Sequence, residues 1–244
     1  MKKPKPFATE VELCAAFLAA LPAGWTAYNE TAGWDILLVR DADGFQIGIQ
    51  AKLKFNLAVL HQAIETSVGK WSSGVGPDCR AVLIPEGEGR LGSIGAYLCL
   101  TTIEVRAPGH SRQAQAFTPE LPDDKNGWRS RWFEMAPTKR EVLPAYVPDC
   151  KAGDKAPLQL TDWKIKALKI AATLELRGWV TRDDFRHIDI DHRRWQSGQW
   201  IVVDMESGRW VKGPKYWPDF AAQHPRNYAE IKADAETWML KVLV

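Results

Sequence analysis

Three polar side chains of different chemistry, Asp35, Gln50 and Lys52, occur in two strand-like runs whose other residues are mostly apolar. A carboxylate, an amide oxygen and an ammonium are costly to bury unless they bind each other or an ion. Oxygen ligands beside a lysine suit Mg²⁺ and a phosphate, because Mg²⁺ prefers hard oxygen donors. These residue types therefore indicate metal-dependent chemistry on a phosphate.

The spacing of the three residues places them together on one hairpin. If Asp41–Gly44 forms a four-residue turn, Asp35 lies directly opposite Gln50, and Lys52 follows two residues later on the same face. A two-residue turn would instead place Lys52 opposite Asp35, with Gln50 diagonal to it. The three side chains converge in either register. The alternative interpretation is that they form the solvent-exposed face of an amphipathic hairpin.

The elements around this hairpin follow from apolar spacing and turn residues, and their predicted order is α-β-β-β-α-β-α-β. We expect an α/β fold with a mixed sheet flanked by helices. The predicted elements are a helix capped by Thr9, strands Trp25–Glu30, Trp34–Val39 and Phe45–Leu53, a helix Asn56–Ser67, a strand Ala81–Ile84, a helix Leu91–Leu100 and a strand Ile103–Arg106.

Two glutamates of the first helix differ in the face that they occupy. Glu10 falls within the apolar stripe that includes Leu13 and Phe17, whereas Glu12 falls on the opposite face. Glu10 is therefore the better candidate for an inward-facing acid. A first-turn acid that only favours the helix dipole is the alternative interpretation of Glu10.

The segments Gly33-Trp34-Asp35-Ile36 and Ile49-Gln50-Ala51-Lys52, preceded by a Glu-bearing helix and followed by a helix that contains Gln62, resemble the PD-(D/E)XK nuclease superfamily. The Gln-x-Lys spacing is most similar to the Mrr-like restriction branch. The resemblance covers residues 7–106, and it implies a restriction-endonuclease-like fold. The sequence departs from the family motif in two ways. No proline directly precedes Asp35, and Gln50 carries no charge.

This resemblance implies roles for the site residues and a cofactor. Asp35, Gln50 and Glu10 would ligate Mg²⁺ or Mn²⁺, and Lys52 would orient the attacking water or stabilise charge on the phosphate. Further residues beside the motif that would contact DNA are Lys54 and Gln62.

The C-terminal part of the chain, which carries the basic excess, shows three helices followed by a hairpin, a pattern typical of a winged-helix (α+β) domain. We expect the third helix to enter the major groove and the hairpin to contact the DNA backbone. The alternative interpretation is a winged helix that mediates protein contacts. A final amphipathic helix, Asn227–Leu240, would pack back or form a homodimer. The candidate DNA-binding residues here are Arg193, Arg194 and Gln196 on the third helix and Arg209 and Lys212 on the hairpin.

Two other motifs are better explained without a ligand. The G-x-G-x-x-G sequence at Gly87–Gly92 has Glu86 and Glu88 where a pyrophosphate would bind, so a loop is the better interpretation. The second motif, His187, Asp189, Asp191 and His192, lacks a histidine pair at i, i+4 spacing. Helix capping and surface solvation explain these four residues better than a metal site.

Length and composition indicate two globular domains. The 244 residues are 45% hydrophobic and 25% charged with a net charge of +2, which excludes a disordered or disulfide-stapled chain. The predicted domains are a nuclease-like domain at 1–106, a proline-rich linker at 107–157 and the winged-helix domain at 158–244.

The four cysteines form no Cys-x-x-Cys pair, and no apolar run approaches the ~18 residues of a membrane span. We expect a cytoplasmic protein that binds DNA and no membrane.

The sequence therefore predicts a Mg²⁺-dependent DNA endonuclease. The alternative, which Gln50 keeps open, is a non-catalytic DNA-binding or assembly protein on a degenerate nuclease fold. A third possibility is a nucleotide-binding enzyme that uses the glycine loop.

Overall fold

The computed structural model describes residues 6–71, 74–107, 115–122, 131–155, 158–214 and 218–241, without the side chains of 66–71. The chain divides into two compact units, Met1–Gln159 and Leu160–Val244, which we call the sheet unit and the C-terminal unit. The fold is mixed α/β, as the sequence predicts. Within the described ranges, none of the helices combines the length and apolarity that crossing a membrane requires.

The sheet unit contains the predicted order of elements and one additional strand. Its elements are α1 Glu10–Ala19, β1 Trp25–Thr31, β2 Trp34–Arg40, β3 Gln46–Ala51, α2 Leu57–Trp71, β4 Cys79–Pro85, α3 Gly92–Tyr97, β5 Thr101–Val105 and β6 Phe117–Thr118. Thr9 caps α1 as predicted, because its hydroxyl accepts a hydrogen bond from the Glu12 N–H. The short β6 was not predicted.

The strands form one six-stranded mixed sheet in the order β1-β2-β3-β4-β5-β6. Neighbouring strands are antiparallel from β1 to β3 and from β5 to β6, and parallel from β3 to β5. For β1 to β5 this mixture follows from the connections, since short turns join the antiparallel strands and helical crossovers join the parallel ones. The sheet is therefore a hairpin meander extended by two helical crossovers.

Helices α1 and α2 cover opposite faces of the sheet. Alternate residues of the same strands pack towards each helix, as the two-residue period of a strand requires. The α1 side is built from Leu13, Cys14, Phe17, Ile36, Leu38, Ile47, Ile49 and Ala51 among others. The α2 side is built from Trp34, Leu37, Val39, Val59, Leu60, Ala63, Val82 and Ile84 among others.

The described parts of the proline-rich segment 107–157 belong to the sheet unit, which differs from the separate linker that the sequence predicts. The Gln46 side chain exchanges two hydrogen bonds with the Glu141 backbone, at 2.9 and 3.0 Å. Arg140 pairs with the buried Asp78 at 2.7 Å. Prolines interrupt regular elements here, yet polar groups at positions 140 and 141 pair with groups of the sheet unit instead of with solvent. Residues 108–114, 123–130 and 156–157 lie outside the described ranges.

The C-terminal unit contains α4 Asp162–Arg177, α5 Arg182–Ile188, α6 Arg193–Ser197, the antiparallel hairpin of β7 Ile201–Val203 and β8 Trp210–Lys212, and then α7 Phe220–Gln223, α8 Pro225–Ala233 and α9 Ala235–Trp238. The predicted sequence of three helices and a hairpin is confirmed. Thr161 caps α4, and Gly178 ends it in the left-handed conformation with φ 83°.

The final helix differs from the prediction, because a turn at Asp234 divides it into α8 and α9. Aspartate is a poor residue inside a helix, since its side chain competes for the backbone. Helix α8 packs on α4 of its own unit, where Lys232 and Tyr228 both bind Glu175 at 2.6 Å. A homodimer through this helix stays a prediction.

Candidate active site

The hairpin of β2 and β3 has the first of the two predicted registers, with Ile36 paired to Ile49 at the end of its ladder. Asp35 directly precedes Ile36 in the chain, so it lies just beyond this last pair, at the open end of the hairpin. Its Oδ2 accepts a hydrogen bond from the Ala51 N–H at 2.7 Å. The backbone of β3 thus fixes the Asp35 carboxylate where the two strands separate.

Lys52 comes directly after β3 and reaches across to α1. Its Nζ donates to Glu10 Oε2 at 2.8 Å, and the two side chains are 28% and 29% exposed. Glu12 is exposed instead and accepts a hydrogen bond from the Ala8 N–H. Of the two helix glutamates, Glu10 is therefore the one that lies beside Lys52, as its position in the apolar stripe predicts.

Gln50 is fully buried and faces α2. Its Nε2 donates to the Gly33 carbonyl at 2.8 Å, and its Oε1 accepts from Gln62 Nε2 at 2.9 Å. Gln50 and Lys52 thus contact different helices, although alternation predicts one shared face. The reason is that β3 ends at Ala51, so Lys52 is not held to the alternation of the strand.

The sequence predicts that Gln62 and Lys54 contact DNA. Gln62 is half-buried and supports Gln50 through the hydrogen bond just described, which gives it a role inside the unit. Lys54 is exposed in the loop after β3. DNA contact by either residue stays a prediction, and so does metal binding by Gln50.

Glu30 is a further candidate residue, which the sequence alone does not indicate. It is half-buried near the end of β1, where its Oε1 accepts a hydrogen bond from the Gly153 N–H at 2.9 Å. Burial and then the charge of Asp35 raise the pKa of Glu30 to about 7. Gly153 lies more than a hundred positions away in the chain, so the sequence does not indicate its contact with Glu30. The one sequence signal for Glu30 is that it is the single charged residue in β1.

The charges around Asp35 are not balanced. Burial raises the pKa of Asp35, the Ala51 hydrogen bond and Lys52 lower it, and Glu10 raises it. The buried Cys14 thiol also has a raised pKa, first through burial and then through Asp35, Glu30 and Glu10. The Asp35 and Glu10 carboxylates therefore lie near the one Lys52 ammonium, and Glu30 lies near Asp35. This surplus of acidic groups favours a cation.

The donor chemistry of this cluster fits Mg²⁺ or Mn²⁺. Carboxylate oxygens are hard ligands, and Mg²⁺ is commonly held by one or two carboxylates together with waters and substrate phosphates. In the part of the chain that the structure describes, no group of three or more His, Cys, Asp or Glu side chains is arranged to hold a metal. Asp35 and Glu10 would supply a site of one or two carboxylates. Such a site agrees with the ligand preference of Mg²⁺ and does not need a group of three protein ligands.

In the C-terminal unit, the predicted DNA-contact residues lie on the surface. Arg193, Arg194 and Gln196 are exposed on α6, which is anchored by the fully buried Trp195. The hairpin residues Arg209 and Lys212 are also exposed. Arg194 lies 5.0 Å from the ring centre of Trp163. The unit therefore presents cationic groups on both the short helix and the hairpin.

The glycine loop and the two aspartates of the His/Asp group have contacts that explain them without a ligand. The Glu104 carboxylate accepts from the Gly87 N–H at 3.2 Å and lies 2.3 Å from where a Cβ on Gly89 would be, so it fills the space that a phosphate would need. Asp189 pairs with Lys166 at 2.9 Å, and Asp191 caps the N–H of Arg193 at 2.8 Å.

Comparisons with protein-family models, with curated proteins and with solved structures found no match to this chain.

Proposed function

We propose that the protein is a Mg²⁺- or Mn²⁺-dependent DNA endonuclease whose sheet unit is a PD-(D/E)XK-like, restriction-endonuclease-like domain. The observation that carries the proposal is the arrangement at the end of the β2–β3 hairpin. There Asp35 is fixed on the Ala51 N–H at 2.7 Å, while Lys52 is held by Glu10 at 2.8 Å. A carboxylate and an ammonium in this arrangement are the groups that phosphodiester hydrolysis uses.

In this proposal Asp35 and Glu10 hold the divalent ion, and the ion, when bound, supplies positive charge beside the scissile phosphate. Lys52 donates a hydrogen bond to a phosphate oxygen or orients the attacking water. Its ion pair with Glu10 restricts the ammonium to the region of Asp35, which reduces the entropy lost when substrate binds.

Gln50 and Gln62 support the site from the α2 side. The Gln50 amide joins the Gly33 carbonyl of the β1–β2 turn to Gln62 of α2. Since Gly33 lies two residues before Asp35, this link fixes the start of β2. Gln50 thus maintains the backbone that presents Asp35, besides any contact of its own with the metal.

We propose a winged-helix role for the C-terminal unit, in which α6 enters the major groove and the β7–β8 hairpin contacts phosphates. The exposed cations of both elements support this assignment. The cytoplasmic location predicted from the sequence is part of the same proposal.

The second candidate function is a DNA-binding or assembly protein without catalysis. The specific observation in its favour is Gln50, which brings no charge to the motif and has both ends of its amide hydrogen-bonded within the protein. Such a protein would retain the cationic surface of the C-terminal unit but would not hydrolyse phosphodiesters.

Nicking of supercoiled plasmid separates the two functions. Purified full-length protein is incubated with plasmid in Mg²⁺, in Mn²⁺ and in EDTA, and binding to a labelled duplex is measured in parallel. The endonuclease proposal expects nicking or linearisation with either metal and none in EDTA. Binding without cleavage in any metal would favour the second candidate, and neither binding nor cleavage would contradict both.

A further inference from the structure

Trp179 of the C-terminal unit lies between two arginine side chains. The Arg177 Cζ is 3.8 Å from the centre of the Trp179 ring, and the Arg209 Cζ is 3.9 Å from it. Two guanidinium groups this close to one ring centre would overlap if they shared a face, so they stack on opposite faces of the indole. Stacked guanidinium groups are attracted to the negative face of an indole.

The backbone of the unit builds this stack from two separate segments. Gly178 ends α4, and the next two residues run beside β8, where Val180 and Trp210 exchange backbone hydrogen bonds of 2.8 and 2.9 Å. Trp179 directly precedes Val180 in the chain, and Arg209 directly precedes Trp210. The stack is therefore fixed to the β7–β8 hairpin by the same hydrogen bonds that join the hairpin to the helices.

The two arginines differ in how their charge is compensated. Arg177 is ion-paired with the buried Asp184, and its Nε donates to the Trp179 carbonyl at 3.1 Å. Arg209 is exposed, and within the ranges that the structure describes its guanidinium forms no ion pair with a carboxylate. Arg177 is thus neutralised inside the unit, whereas Arg209 keeps its positive charge at the surface.

We propose that Arg209 is a preformed phosphate-binding group of the C-terminal unit and that Trp179 is the residue that positions it. Stacking occupies the face of the guanidinium and leaves its in-plane N–H groups directed outward, which is the geometry of bidentate phosphate contact. An arginine that is already ordered loses less side-chain entropy on binding. Arg177 supports the opposite face of the indole, so the ring keeps its position.

This inference rests on the proposed DNA binding, and a double-mutant cycle tests it. The full-length protein binds a fluorescein-labelled 30-base-pair duplex in EDTA across a salt series, with affinity read from anisotropy. Arg209→Ala should reduce the slope of log K against log salt by about one unit. Trp179→Leu, which changes no charge, should weaken binding about three- to tenfold. In the Arg209→Ala background, Trp179→Leu should weaken binding less than twofold further.

Matched variants separate positioning from simple charge or fold effects. Arg186→Ala removes the same charge from a guanidinium that pairs with Asp183 at 3.1 Å, and it should change affinity less than twofold. Trp179→Phe keeps a flat ring and should stay within about twofold of wild type. Arg209→Lys keeps the charge without the planar stack, so it should retain the salt slope and weaken binding about threefold. These last two variants carry the test if Trp179→Leu does not fold.

The outcomes distinguish this inference from the proposed function. Equal weakening by Trp179→Leu in both backgrounds, or wild-type affinity in Arg209→Ala, would overturn the inference and leave DNA binding intact. No binding by the wild type at low salt would contradict DNA binding itself and remove the inference with it.

Discussion

The Lys52 ammonium donates to the Glu10 carboxylate across 2.8 Å and thereby ties the end of the central β3 to the first residue of α1. Both side chains are partly exposed, so the pair adds little to stability, about 0–1 kcal/mol. Its effect is on geometry, because a long flexible lysine is kept close to Asp35. We therefore expect changes at Glu10 to alter activity more than stability.

Glu10→Gln tests this relationship directly. The amide still accepts a hydrogen bond from Lys52 but removes the negative charge, so nicking should fall by about tenfold or more while the free energy of unfolding changes by less than about 1 kcal/mol. Nicking rates and urea denaturation measure the two effects. Glu12→Gln is the matched control on the exposed side of α1, and equal losses of activity in both variants would contradict the role of Glu10.

Gln50→Glu restores the charge that the motif lacks, but it should destabilise the metal-free protein. A carboxylate cannot donate to the Gly33 carbonyl, and its burial is unfavourable, so the variant should lose about 1–3 kcal/mol of stability in EDTA. If Gln50 also contacts the metal, Mg²⁺ should recover much of this loss, whereas an ion held by Asp35 and Glu10 alone should recover little of it. Thermal unfolding with and without Mg²⁺ measures both, and Gln50→Met, which cannot bind Mg²⁺, is the control. Equal responses of the two variants to Mg²⁺ would exclude a metal near position 50.

The pKa of Glu30 predicts a pH dependence of stability. Because the folded-state pKa is raised to about 7, the folded protein binds more protons than the unfolded chain at mildly acidic pH. This contribution to stability is fully present below the pKa that Glu30 has in the unfolded chain, and it is lost as the pH rises through 7. In EDTA, Glu30→Gln should therefore gain in melting temperature relative to wild type between pH 5.5 and pH 8, as its neutral side chain does not titrate. Glu88→Gln, on an exposed loop, should show no such gain.

Gly48→Ala probes the packing that holds the start of β2. A Cβ on Gly48 would lie 2.4 Å from Cε2 of Trp34, which is 1% exposed and immediately precedes Asp35. A buried indole cannot move aside freely, so we expect a loss of about 1–3 kcal/mol, or several degrees in melting temperature. Gly76→Ala, where a Cβ meets nothing within 4 Å, is the control. Equal melting temperatures for both variants would contradict the close packing of Trp34 on β3.

The local features of the site were predictable from sequence because short-range rules determine them. The turn at Asp41–Gly44 and the alternation of β3 fix the register that ends at Ile36 and Ile49. The helical period places Glu10 rather than Glu12 towards the sheet. Each of these inferences uses residues that are close together in the chain or in one hairpin.

The features that the sequence did not reveal depend on contacts between distant positions. Glu30 is held by Gly153, and Gln46 by the backbone of Glu141, so the proline-rich segment completes the sheet unit instead of linking two domains. The partner of Gln50 is likewise on another element, because Gln62 belongs to α2. Residue spacing carries no signal for such pairs.

The most direct test of the central claim compares Asp35→Asn with Asp41→Asn for metal-dependent nicking of plasmid. Asp41 lies exposed in the same hairpin, so the two variants make the same chemical change at and away from the site. We predict that Asp35→Asn, like Lys52→Ala, lowers the nicking rate by about 10²-fold or more, while it folds and binds duplex as the wild type does. Asp41→Asn should keep wild-type activity. Nicking by Asp35→Asn at the wild-type rate would contradict the assignment of this site as the catalytic centre.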